Sequence, residues 1–206
     1  ADVKKAGKQY DFSALEQANG LPAGYMNAMA MIESGGNPLA YNAGSGAAGL
    51  YQFVPKTAKA YGITDPYDVQ QASAGAAALA VDNARQFQKK MGRAPEAREL
   101  YLMHQQGSGG APALLKNPNM SAVEALRLGG QKNAEAAITG NGGNLNMTAQ
   151  EFAELQMAKY DKQFMAIQIA KERGGVNQIP LDKANKAAVD AATAAAIPPP
   201  IECPYR

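Results

Sequence analysis

A mainly α-helical chain is predicted from three observations. Apolar residues recur at helical spacing over most of the first 165 positions. Prolines open those stretches and glycines close them, and no stretch alternates polar and apolar residues with the period of a strand.

The elements follow in order. "LPAGYMNAMAMIE" carries Pro22 in its first turn, where a missing N–H costs nothing, then Tyr25, Met26, Met29 and Ile32 at helical intervals. Gly35, Gly36 and Pro38 end it. "VPKTAKAYG" reads as a short helix stopped by Gly62, and "TDPYD" as a turn in which Asp65 or Asp68 caps the next helix. That helix is long and Ala-rich, from about Val69 to Met91, and closes at Gly92. "APEARELYLMHQQG" starts with Pro95 and stops at Gly107. Two Ser/Thr-x-x-Glu capping boxes, Ser121 with Glu124 and Thr148 with Glu151, open further helices. The second runs to about Arg173, where two glycines follow. Residues 1–165 are read as one compact domain, and residues 166–206 as the end of the last helix with a C-terminal tail.

Bulk composition excludes several function classes. The chain has 206 residues, enough for one domain with an appendage, and 46% are hydrophobic, enough for a core. Net charge is +2 with no run of Lys or Arg, which gives no electrostatic case for nucleic acid or an acidic membrane surface. Cys203 and His104 are the sole residues of their types, so no internal disulfide can form and the common zinc sites lack ligands. No cofactor is expected. No apolar run is long enough to span a bilayer, and no signal peptide is visible. The start at Ala1 fits removal of an initiator Met and earlier processing equally.

Glu33 raises the functional question. On a helical wheel it falls between Met26 and Met29, on the apolar face, at the end of a helix that two glycines and a proline then break. Desolvating a charged carboxylate is expensive, and burial raises its pKa, which is what a general acid needs to hold a proton near neutral pH. The alternative is an acid that turns outward at a frayed helix end. The next stretch, "YNAGSGAAGLYQFVPKTAKAYG", is a Gly/Ala/Ser loop that tightens into Gly49-Leu50-Tyr51-Gln52-Phe53 and feeds a helix.

Glu33-Ser34 at a helix end, then Gly49-Leu50-Tyr51-Gln52 before a short helix, resembles the lytic transglycosylases of the SLT, goose-type lysozyme-like family. Their signature pieces are Glu-Ser and Gly-Leu-Met-Gln, and the surrounding "ESGGNP" and "P.TA..YG" match as well. The resemblance implies a mainly helical lysozyme-like domain with a substrate cleft, acting on the glycan strand of peptidoglycan. Glu33 would protonate the leaving oxygen of the bond between N-acetylmuramic acid and N-acetylglucosamine. It would then act as base toward the muramic C6 hydroxyl, closing a 1,6-anhydro ring. Such an enzyme needs one carboxylate where most glycosidases need two. Asp65 and Asp68 are accordingly read as caps, and Asp82 as part of a solvated helix face. A goose-type lysozyme hydrolase and a non-catalytic wall-binding module are the alternatives.

The same resemblance suggests substrate contacts. Ser34 would orient Glu33 or cap the helix end. Gly49 and Gln52 belong to the signature turn, where Gln52 would contact substrate or brace the loop. Tyr51 replaces the usual methionine and would offer a ring to a sugar or to the core. "YLMHQQGSGG" stands where the family has Ala-Tyr-Asn-x-Gly, so His104 takes the place of the tyrosine and Gln105 of the asparagine. Both can bind sugar hydroxyl and acetamido groups. Tyr160 is the candidate for a tyrosine that the family places near the acid from a late helix.

Beyond about residue 173 large apolar residues are scarce. An Ala-rich piece is followed by "IPPP" and a short tip with Ile201, Cys203, Pro204 and Tyr205. Such a segment cannot fold alone and is read as a tether that docks the enzyme on a larger assembly. The expected setting is a phage virion acting in the host periplasm, or a bacterial periplasmic or envelope complex.

Overall fold

In a computed structural model of the chain, residues 9–174 and 177–184 are described. Among them lie eight α-helices: α1 (Ser13–Ala18), α2 (Tyr25–Ser34), α3 (Pro55–Ala60), α4 (Val69–Met91), α5 (Ala97–Lys116), α6 (Ala122–Leu128), α7 (Ala134–Gly140) and α8 (Ala149–Glu172). Four two-residue strands make two small pairings. β1 (Tyr10–Asp11) lies parallel to β4 (Ile179–Pro180), and β2 (Tyr41–Asn42) antiparallel to β3 (Ala47–Ala48). The class is mainly α, as expected. The Ala-rich piece from residue 185 on, the triple proline and Cys203 lie outside the described residues.

The α4 helix occupies its expected span, and Asp68 caps it by accepting the Gln71 N–H at 2.9 Å. The α5 helix corrects its expectation. Gly107 adopts φ 70°, ψ 174°, which kinks the helix there, and helical backbone then resumes as far as Lys116. Only one of the two predicted capping boxes forms. The Thr148 N–H donates to the Glu151 carboxylate at 2.8 Å, and the Glu151 N–H to Thr148 Oγ1 at 3.2 Å. Ser121 gives no side-chain cap; it pairs with Thr148 as a β-bridge instead.

The chain divides into two compact units, with the divisions falling inside α4 and α8. The described part of the first comprises residues 9–79, 163–174 and 177–184. Tyr10, Phe12, Met26, Leu50, Tyr51, Val69 and Ile167 are buried in it. Phe12 packs against Tyr10 at 5.7 Å between ring centroids and against Tyr51 at 6.3 Å. The Asn27 amide serves β1 like a neighbouring strand, accepting the Tyr10 N–H at 3.0 Å and donating to the Tyr10 carbonyl at 2.7 Å. On its other edge β1 takes β4 in the register Tyr10 to Ile179. Gln70 Nε2 holds the Leu181 carbonyl at 3.0 Å. Ile167, β4 and the buried Ala184 therefore belong to this unit, although the sequence groups them with the tail.

Glu16 of α1 caps a helix other than its own. Its carboxylate accepts the Gly24 and Met26 N–H groups, both at 2.8 Å, at the N-terminus of α2. Burial pushes this carboxyl above its ordinary range, and the two N–H bonds only partly oppose the rise. A raised folded-state pKa gives stability that is complete below the unfolded value, about 4.3, and is lost as pH rises through the folded value. A Glu16→Gln chain lacks that titration. The stability advantage of the parent over Glu16→Gln should thus be largest below about pH 4 and narrow as pH rises. Melting curves of both chains across that range check the sign; a gap that widens with pH would contradict it.

The second unit, residues 80–162, has its own core of Phe87, Leu102, Met103, Leu114, Leu126, Ile138, Phe152 and Met157. Here α5 meets α6 at two glycines, where a Cβ on Gly109 would stand 2.0 Å from the Gly129 carbonyl oxygen. The start of α5 is capped by Glu99, which accepts the Glu96 N–H at 2.8 Å and takes both arms of Arg93 at 2.7 and 2.5 Å. Burial pushes the Glu99 carboxyl up, but the Arg93 bond and the Glu96 N–H outweigh it and hold it below the usual carboxylate range.

Candidate active site

Glu33 is the next-to-last residue of α2, and only 6% of it is exposed. A carboxyl buried at a helix end is a position that a general acid can occupy. The helix stops there because Gly35 and Gly36 take left-handed backbone, φ 64° and 75°.

Ser34 is 1% exposed. Its Oγ lies 3.0 Å from the Ala30 carbonyl and 2.8 Å from the Leu50 carbonyl, and it accepts the Asn37 N–H at 3.1 Å. The hydroxyl thus ties the end of α2 to the signature turn. Of the two roles weighed for Ser34, orienting Glu33 or capping the helix end, the backbone partners of its hydroxyl are those of a cap.

The signature turn is built on Gly49. Its N–H donates to the Ala40 carbonyl at 2.8 Å and its backbone sits at φ 80°. A Cβ there would come within 1.8 Å of the Pro66 carbonyl oxygen. Only glycine fits. Gln52, at φ 50°, is fully buried, and its Nε2 donates to the Gly49 carbonyl at 2.9 Å and the Ala40 carbonyl at 3.2 Å. Of the two roles considered for Gln52, this geometry carries the brace. Its Oε1 is buried with no hydrogen-bond partner among the described residues. A bridge between Ala48 and Phe53 closes the turn at its base.

Tyr51 also belongs to the core. It is 3% exposed, and its hydroxyl donates to the Met26 carbonyl at 3.2 Å. Burial pushes that hydroxyl well above its usual pKa, so it stays protonated. Its ring is covered, and the suggested sugar contact is replaced by packing beneath α2. Glu33, Ser34, Gly49, Tyr51 and Gln52 therefore form one bonded assembly in the first unit. His104, Gln105 and Tyr160 lie in the second. The first two are half-buried on α5 just before the Gly107 kink. Tyr160 is 2% exposed and packs on Tyr101 at 6.0 Å between centroids.

Two contributors escaped the sequence reading. The Ala40 carbonyl receives both the Gly49 N–H and the Gln52 amide, and no side-chain pattern marks a carbonyl. Asn42 organises the hairpin by accepting the Gly44 and Ser45 N–H groups at 2.9 and 3.1 Å; its place in "YNAGSG" was a readable turn signal.

The buried carboxylates of the first unit, among the described residues, are Glu16 and Glu33. They stand at opposite ends of the ten-residue α2. That length puts them roughly 13 Å apart, beyond the ~5–9.5 Å of paired glycosidase carboxylates. Asp65 and Asp68 are engaged as turn and helix caps. The arrangement suits chemistry by one buried acid.

Residues 11–109 match the family model of the transglycosylase SLT domain, whose members are lytic transglycosylases acting on peptidoglycan. The match includes Glu33, the Gly49–Gln52 turn, His104 and Gln105; Tyr160 falls outside it. No curated protein matches the chain. No helix among the described residues is long and apolar enough to cross a membrane.

Proposed function

We propose that this chain is a lytic transglycosylase acting on peptidoglycan, a reading that the family match over residues 11–109 supports, and that it cuts the β-1,4 bond between N-acetylmuramic acid and N-acetylglucosamine with Glu33 as its single acid–base group. The observation that carries the reading is the buried carboxyl of Glu33 at the end of α2, bonded through Ser34 to the Gly49–Gln52 turn. In the first half, Glu33 gives its proton to the glycosidic oxygen as the bond to muramic C1 breaks. In the second, the muramic C6 hydroxyl attacks C1 and its proton returns to the Glu33 carboxylate. The acid is regenerated, no water is consumed, and the sugar ends as a 1,6-anhydro ring. A second carboxylate has no task in this sequence of steps. His104 and Gln105 are assigned to hydroxyl and acetamido groups along the strand.

Products test this. Purified walls digested by the chain should yield muropeptides lighter by one water than lysozyme products, seen by mass spectrometry. Reducing ends alone would transfer the chain to the hydrolases.

The activity is assigned to local opening of the wall by a phage particle or an envelope machine, with the segment beyond residue 184 as the docking tether. Its composition supports a tether, since it has little apolar surface to bury. A chain ending at residue 184 keeps β4 and should retain wall-cleaving activity while losing incorporation into its parent assembly. Normal incorporation of the shortened chain would refute the tether.

A further inference from the structure

Among the described residues, the large apolar side chains that are exposed include two aromatic rings, Tyr41 at 45% and Tyr67 at 38%. Single exposed aromatics are ordinary. These two share a neighbour. Tyr41 follows Ala40, whose carbonyl receives the Gly49 N–H at 2.8 Å. Tyr67 follows Pro66, whose carbonyl oxygen occupies the space where a Gly49 Cβ would be. One ring is thus carried on a segment bonded to the residue that opens the signature turn and the other on a segment packed against it, and Ser34 fastens that turn to the helix end bearing Glu33.

Both segments are fixed. Tyr41 pairs with Ala48 in the β2–β3 hairpin, and Ala48 exchanges backbone hydrogen bonds of 3.1 and 3.0 Å with Phe53. Tyr67 sits in a turn whose N–H groups are satisfied from within. Asp65 Oδ1 accepts the Tyr67 N–H at 2.9 Å, and Gln71 Oε1 accepts the Thr64 N–H at 3.0 Å and the Thr64 hydroxyl at 2.9 Å. A large ring on a preorganised segment loses only its own rotamer freedom when it meets a ligand. Its π face carries partial negative charge and its hydroxyl can still donate. The C–H faces of pyranose rings, flanked by hydroxyl and acetamido groups, complement such a surface.

We infer that Tyr41 and Tyr67 are sugar-stacking residues that seat successive rings of the glycan strand beside the Gly49–Gln52 turn. The inference rests on the transglycosylase reading and adds subsites to it. The two rings touch substrate away from the scissile bond, so they bind the strand and leave proton transfer to Glu33.

The test uses the full chain carrying Glu33→Gln, so that the ligand survives, and soluble peptide-free peptidoglycan glycan strands as the probe, measured by calorimetry. Tyr41→Ala and Tyr67→Ala should each weaken binding about tenfold, and Tyr41→Phe and Tyr67→Phe should stay within about threefold, because the ring face does the stacking. In the Glu33 parent the alanine variants should raise KM with kcat nearly unchanged. Melting temperatures should not move, since both side chains are exposed. Alanine variants that bind like the Glu33→Gln chain would overturn the two subsites while leaving the transglycosylase reading intact. Failure of the Glu33→Gln chain itself to bind strands would overturn both.

Discussion

Glu33→Gln should lower the rate of wall cleavage by at least about two orders of magnitude, the scale of positioned proton transfer. The amide is close to isosteric with the carboxyl, and the site is buried, so the replacement removes the transferable proton without opening a cavity. Folding should survive, since the exchange is nearly isosteric. Turbidity loss of purified walls gives the rate, and thermal melting of the same preparation separates lost chemistry from lost fold. A folded Glu33→Gln chain that clears walls at the parental rate would remove Glu33 from the mechanism.

Gly49→Ala should be the most damaging small substitution in the first unit, costing about 3 kcal/mol of stability. Two terms add. An L-residue at φ 80° costs about 1–2 kcal/mol by itself. The new methyl would also stand 1.8 Å from the Pro66 carbonyl oxygen, so the backbone of that turn must move. The turn is internally bonded through Asp65, Asp68 and Gln71 and cannot yield locally. Gly62→Ala is the control. Its φ is 69° and nothing lies within 4 Å of the added carbon, so it should show the backbone term alone, about 1 kcal/mol. Denaturant midpoints of the two variants give the difference. Equal losses would mean the Pro66 contact yields more easily than its hydrogen bonds suggest.

The sequence made Glu33, Ser34 and the Gly49–Gln52 turn visible because they are contiguous and chemically unusual: an acid on an apolar face, then glycines where a helix should continue. The reasons they are there were not visible. The carbonyl that forbids a Cβ on Gly49 comes from Pro66, and the hydroxyl that anchors Leu50 comes from Ser34, so both depend on chain reversals that a linear pattern does not encode. Tyr51 was ambiguous for a related cause, since a tyrosine reads as either core or contact until something covers its ring. Helix limits behaved the same way. The Ala-rich α4 declared its start through Asp65 or Asp68 and its end through Gly92, and the structure gives the cap to Asp68. Gly107 signalled a stop, but glycine also permits a kink after which the helix continues. The six-residue α1 gave too short a pattern to register, and with it went Glu16, whose role as cap to a different helix rests wholly on tertiary placement.

The pairing of β1 with β4 has a consequence for the order of assembly. Tyr10 waits for Ile179, so the first strand has no sheet partner until nearly all of the described chain has left the ribosome. Residues 80–162, by contrast, are contiguous, and their helices α5, α6 and α7 are joined by short connections, the topology that folds fastest. The later-made, interposed unit can therefore settle first, while the segment bearing Glu33 is completed last by long-range closure. The pairing that completes the unit bearing Glu33 thus forms only after residue 179 has been made.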